Sequence, residues 1–101
     1  MVMKFEREVL ASLITAECVK VGLAPTGLAF DTDDLGVSSL IFFVPRDTNT
    51  FVRFSRLQRT LPRVLREPVR LEYYMPGDYE QVPAGMAMIG VDLFFLVPAE
   101  G

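Results

Sequence analysis

The sequence predicts an α+β fold, a single domain over residues 1–101 in αββαββ order, in which an antiparallel sheet is packed by two helices. Apolar residues recur with a period near 3.6 over residues 4–21 and 50–61, the spacing that places them on one helix face. Over residues 69–75 they alternate with a period near 2, the mark of a strand. With 101 residues, 50% of them hydrophobic, and eight Phe, the chain has enough apolar material for one core.

In the first helix, residues 4–21, Phe5, Val9, Leu10, Leu13, Ile14 and Val21 fall within one arc of the helical wheel, with Glu6, Arg7 and Ser12 opposite. Gly22 and Pro25 stop it. Glu17 and Lys20 project onto the apolar arc near its end. Either the helix leaves the core there or the pair is half-buried and mutually compensated. Two strands, 27–31 and 37–44, are rich in Phe, Val and Ile and joined by Thr32-Asp33-Asp34-Leu35-Gly36, whose Asp and Gly supply turn chemistry. Asp47, Thr48 or Asn49 can cap a second helix starting at Thr50. There Phe51, Phe54, Leu57, Leu61, Val64 and Leu65 face the core, and only Val52 lies on the wrong side. Pro62 lacks the N–H that an ongoing helix needs, so a kink or break is expected at Leu61, followed by a short turn to Arg66.

Residues 69–75 and 85–97 form the last strand pair. With Leu71 opposite Ile89, Val69, Leu71 and Tyr73 share a face with Ala87, Ile89, Val91, Leu93, Phe95 and Val97. The other face then carries Arg70, Glu72, Tyr74, Met86, Met88, Asp92, Phe94 and Leu96. Large apolar groups on both faces are unusual for an antiparallel sheet with one wet side. The second apolar face therefore predicts a homo-oligomer, a dimer first.

Charge is unevenly distributed behind a net −3. Residues 46–70 hold seven of the ten basic residues against two acids, a local +5, which leaves three bases and eleven acids, or −8, elsewhere. Arg53, Arg56, Arg59, Arg63, Arg66 and Arg70 are separated by 3, 3, 4, 3 and 4 residues, which at about 100° per residue gathers them on one side of a helix. The ordinary outcome for such a stripe is a solvated face whose arginines also meet acids of the same chain. Its functional counterpart is a contact, through Arg53, Arg56, Arg59, Arg63 and Arg66, with an acidic protein partner whose carboxylates a guanidinium can grip in a fork. Nucleic acid is a further alternative but an unfavoured one, because no aromatic residue is interleaved with the arginines and the rest of the chain repels phosphate.

The chain contains no His, which removes the usual general base, a common metal ligand and every His-dependent triad. Cys18 is the only cysteine, so no intrachain disulfide can form and a reducing, cytoplasmic setting is expected. Near a helix C-terminus Cys18 meets the end of the helix dipole that disfavours a thiolate, and a buried, structural thiol is expected. Asp31-Thr32-Asp33-Asp34-Leu35-Gly36 imitates the opening of a calcium loop but has Phe42 where the bidentate Glu should stand, so it is read as an acidic hairpin turn. The glycines are scattered singly and form no phosphate loop. No cofactor or metal is expected. The charged start of the chain does not read as an export signal, and the longest mostly apolar stretch, residues 84–98, is interrupted by Asp92 and too short to span a bilayer.

The remaining constellation is the second sheet face itself. Glu72, Tyr74 and Asp92, with Arg70 and Glu17 nearby in the pattern, stand among Met86, Met88 and Phe94, where desolvation would raise carboxylate pKa values. Its plain outcome is an Arg70 ion pair with Asp92 or Glu72 at a sheet edge or interface. Its functional outcome is a small-molecule site or an acid/base enzyme. On balance the sequence favours a non-enzymatic binding or adaptor domain.

Overall fold

The computed structural model describes residues 6–96 and has the predicted order: α1 (Arg7–Lys20), β1 (Thr26–Thr32), β2 (Ser38–Pro45), α2 (Thr50–Leu65), β3 (Arg70–Tyr74) and β4 (Met86–Leu93). The four strands form one antiparallel sheet in the order β1-β2-β4-β3. Lys4, Phe5 and Val97, assigned above to the first helix and last strand, lie outside the described residues.

Helix α1 buries Leu10, Ile14 and Cys18 completely, one residue per turn. Val9, expected on the same arc, is half-exposed. The helix ends in a left-handed cap: Gly22 has φ +92°, its N–H donates to Val19 C=O at 3.0 Å, and Leu23 N–H donates to Cys18 C=O at 2.8 Å. A side chain would be strained at that φ, which is why glycine stands there. Leu23 is thereby folded under the helix end into the core. Glu17 is 6% exposed while Lys20, 4.0 Å away, reaches into solvent; the helix stays on the core and the pair is buried on one side only.

The β1–β2 turn is organised by Asp33, whose Oδ1 accepts the N–H groups of Leu35 and Val37 at 2.9 Å each. The acidic run therefore serves turn formation, as the preference of Asp for such positions predicts. Asp47 ties down the start of α2: its Oδ1 accepts Asn49 N–H at 2.8 Å, and its own N–H donates to Thr50 Oγ1 at 2.8 Å.

Helix α2 runs through Pro62 to Leu65, and the break expected at Leu61 does not occur. Pro62 lies in the last turn, where only one intrahelical bond is forfeited, and fully buried Leu61 and Leu65 hold the backbone on either side. Arg66, in the left-handed conformation (φ 56°, ψ 36°), closes the helix. Phe54, Leu57, Leu61 and Leu65 enter the core, whereas Val64 is largely exposed. Phe51 is 58% exposed and packs at the rim, 5.7 Å from the Phe54 ring and edge-on to Tyr73 at 5.3 Å.

Strand β4 is central and buried along nearly its whole length. Ala87, Ile89, Val91 and Leu93 face the helices together with Leu40, Phe42 and Val44 of β2 and Leu71 of β3. The register pairs Leu71 with Val91 and Tyr73 with Ile89, two residues from the expected Leu71–Ile89 pairing. Strands have period 2, so this difference leaves the side chains of β3 and β4 on their predicted faces. The last strand does not reach Val97: it ends at Leu93, and a turn with Leu96 N–H on Leu93 C=O at 3.1 Å returns Leu96 to the core. Leu96 thus leaves the second face, and Met88 is buried as well.

Truncating the wholly buried Phe42 to Ala should cost about 3–5 kcal/mol in urea unfolding through lost burial and a residual cavity. Leu35→Ala, at a position 89% exposed, should stay within about 0.5 kcal/mol.

Candidate functional site

Two surfaces carry the sequence candidates, and they lie on opposite sides of the sheet. The first is the outward face of α2. Arg56, Arg59 and Arg63 are exposed and share with Val52 the arc opposite Phe54, Leu57, Leu61 and Leu65. None of these three guanidinium groups forms an ion pair among the described residues. Arg53 is different. It pairs with Asp47 at 3.3 Å and packs on the exposed Cα of Gly22, where an added Cβ would come within 3.0 Å of Arg53 Nε. Backbone hydrogen bonding from Asn49, ahead of the Arg53 charge, holds the Asp47 carboxyl below its usual range. Arg66 sits at the helix cap, and Arg70 belongs to β3, so the six-arginine stripe is divided among three structural settings.

The second surface is the sheet face away from the helices. A concavity of about 250 Å³ lies there. The strand register builds it row by row: Asp31, Ser39, Asp92 and Arg70 are successive neighbours across the sheet, then Ile41, Gly90 and Glu72, then Phe43, Met88 and Tyr74. Of the predicted pocket residues, Glu72, Tyr74, Met88 and Asp92 line the concavity. Arg70 reaches it through Asp92, while Met86 lies off it, and Phe94 stands beyond the strand with the Arg70 guanidinium 5.8 Å from its ring centre. Glu17, on α1, is not part of it.

The concavity also has walls that strand periodicity in 69–97 could not supply. Asp31, Ser39 and Ile41 come from β1 and β2, Gly90 forms the floor, and Tyr79 and Gln81 descend from the β3–β4 connection. Outward alternation in β2 marks Ser39 and Ile41, but which strand lies beside β4 is a tertiary fact. Tyr79 and Gln81 lie in an irregular segment without a period to read.

Asp92 is the anchor of the face. Its side chain is 10% exposed, and a carboxylate in that position is costly unless its oxygens are satisfied. Ser39 Oγ donates to Oδ1 at 2.7 Å; Arg70 Nε donates to Oδ2 at 3.0 Å, and Nη2 stands in ion-pair contact with the same oxygen at 2.9 Å. Hydrogen bonding to Asp92, then its charge, pushes the Arg70 guanidinium further toward its protonated form. With both oxygens engaged, Asp92 is poorly placed to shuttle protons. Tyr74 Oη donates to Glu72 Oε2 at 2.7 Å, which with burial raises the phenol pKa, and its ring meets Tyr79 edge-on at 4.9 Å. Among the described residues no three Asp, Glu or Cys side chains converge as a metal site, and no helix is long and apolar enough to cross a membrane.

Fold and surfaces together define a small α+β domain with a basic helix face and an acidic, aromatic-walled sheet face. In comparisons with known proteins, the chain matches no family, no curated protein and no solved structure.

Cys18 belongs to neither surface. Burial, and secondarily the neighbouring Glu17 charge, pushes its thiol up from 9.0 to about 12. A thiol whose folded pKa is raised favours the fold below its unfolded pKa, and that contribution is lost as pH rises through the folded value. Stability should therefore fall between pH 9 and about 12, and Cys18→Ala should flatten the part of the fall that begins near pH 9 in pH-dependent urea melts. Native protein should also resist thiol reagents at about pH 8 until denaturant is added.

Proposed function

We propose that this chain is a non-enzymatic binding domain that presents the outer face of α2 to an acidic protein surface. The observation that carries the proposal is the grouping of Arg56, Arg59 and Arg63 around exposed Val52 with no ion pair among the described residues. A solvated face in a chain of net −3 would be expected to draw some of its own acids onto these groups, as Asp47 is drawn onto Arg53. Arginine is also enriched at protein interfaces, where the guanidinium forks onto carboxylates. Phe51, exposed at the flank of the same helix, adds apolar area. A protein partner is favoured over nucleic acid because the charge outside residues 46–70 is −8, which repels a phosphate backbone.

Acid/base chemistry has less support, since both Asp92 oxygens are held by Ser39 and Arg70. Self-association has less support than the sequence suggested. Met88 and Leu96, half the apolar reason for a dimer, are buried in the single chain.

Fluorescence anisotropy with a short glutamate-rich peptide tests the proposal. Joint Arg56→Glu and Arg63→Glu reversal should weaken peptide binding by about tenfold or more. The thermal midpoint should move by only a few degrees, because exposed charges contribute little to stability. Equal binding by both proteins would refute the assignment. Tighter binding to duplex DNA than to the peptide, with a steep salt slope, would replace the acidic protein by a polyanion.

A further inference from the structure

We propose that the concavity over Gly90 is a binding site for an organic cation, the guanidinium or ammonium end of a ligand about the size of one long side chain. Gly90 sits in the middle of central strand β4 and is buried, yet its φ is not in the left-handed region and a Cβ built on it meets nothing within 4 Å. Neither backbone conformation nor packing requires glycine there, and a glycine inside a strand weakens it relative to alanine. What the missing side chain does is open the face. Ile41 on β2 and Glu72 on β3 flank Gly90 directly, so at normal strand spacing their backbones stand about 10 Å apart with no side chain between them.

The chemistry of the walls selects the ligand. Three carboxylates, Asp31, Glu72 and Asp92, line the cavity, and among the described residues the one cation that reaches it, Arg70, is held by Asp92. The surplus is negative, which disfavours an anion: Arg70, engaged by Asp92, also feels the Glu72 charge, but one cation does not balance three carboxylates. Tyr74 holds one Glu72 oxygen at 2.7 Å, fixing the carboxylate while leaving the other oxygen to accept from a ligand. Tyr74, Tyr79 and Met88 supply polarizable, partly aromatic walls, which favour a soft organic cation. A bare divalent ion fits less well, because no three carboxylates among the described residues converge. At about 250 Å³ the space is smaller than a pocket for a drug-sized ligand and suits a single cationic head with its alkyl stem.

Titration of the whole chain with agmatine, followed by amide chemical shifts, tests this site. Saturable shifts are expected at Gly90, Glu72 and Ser39. Glu72→Gln should weaken binding by about tenfold, and Gly90→Leu, which fills the space, should abolish it. Should Gly90→Leu fail to fold, Glu72→Gln alone decides, since it leaves the cavity shape intact. Arg56→Glu with Arg63→Glu should leave agmatine binding unchanged, so failure of the α2 proposal and failure of this one are separately visible. A doubly capped arginine binding as well as agmatine would assign the site to a protein side chain, and agmatine binding alone would assign it to a free amine. Absence of saturable shifts up to about 20 mM agmatine, a range reaching only very weak affinity, would overturn the proposal. Undiminished binding to folded Gly90→Leu, or inorganic phosphate shifting the same amides, would also overturn it.

Discussion

The register of β4 between β2 and β3 is the constraint on which the core and the open face both depend. Ala87, Ile89, Val91 and Leu93 are wholly buried beneath the helices, while Met88, Gly90 and Asp92 alternate onto the other side. A slip of one residue would exchange the two sets. It would push a carboxylate into the apolar layer and strand four aliphatic groups on the surface. Side-chain chemistry opposes that slip at the same place as the backbone does. Asp92 is the register partner of Ser39 on one side and Arg70 on the other, and those are the two residues that hydrogen-bond its carboxylate. The clamp adds specificity more than stability. Arg70 is 66% exposed, and such pairs are screened, but a misregistered Asp92 would lose all its donors at once.

Much of this architecture was legible in the sequence because it rests on parity and period. The element order, the core faces of both helices and the two faces of the β3–β4 pair follow from local spacing, and a register wrong by two residues did no harm to them. Errors arose where local spacing meets a boundary. Leu96 continues the alternation of β4 in sequence, but the chain turns at Phe94–Phe95 without a Gly or Pro to announce it. Pro62 looks like a helix breaker until its position in the final turn, between two anchored leucines, is known. Val9, Phe51 and Val64 sit at the margins of their apolar arcs, where coverage depends on how far the sheet extends beneath the helix.

The candidate sites divide along the same line. Glu72, Tyr74, Met88 and Asp92 could be grouped from strand period alone. Asp31 and Ser39 join them only because β2, not β1, lies beside β4, a pairing between residues about fifty positions apart that no local pattern encodes. Gly90 was invisible for a different reason. A glycine in a strand reads as a packing defect or a bulge, and only the empty direction of its missing Cβ turns it into the floor of a cavity. The arginine stripe, conversely, overstated itself, since helical spacing carried it past Arg66 into a strand whose side chain points to the other side of the sheet.

The split of charge between the two surfaces also determines how independent they are. Between the outer arc of α2 and the open sheet face lie a helix diameter and the sheet with its side chains, about 20 Å of low-dielectric protein and backbone. Exposed charges that far apart interact across more than two Debye lengths at physiological salt, where that length is about 8 Å. The arginines therefore do not neutralise Glu72 and Asp31 from behind, and the groove keeps its negative character despite the +5 segment. The one arginine that crosses to the acidic side, Arg70, does so by belonging to β3, and there it is spent on holding Asp92 in register. Its loss would affect the open face by freeing a buried carboxylate, and would leave the basic face of α2 as it is.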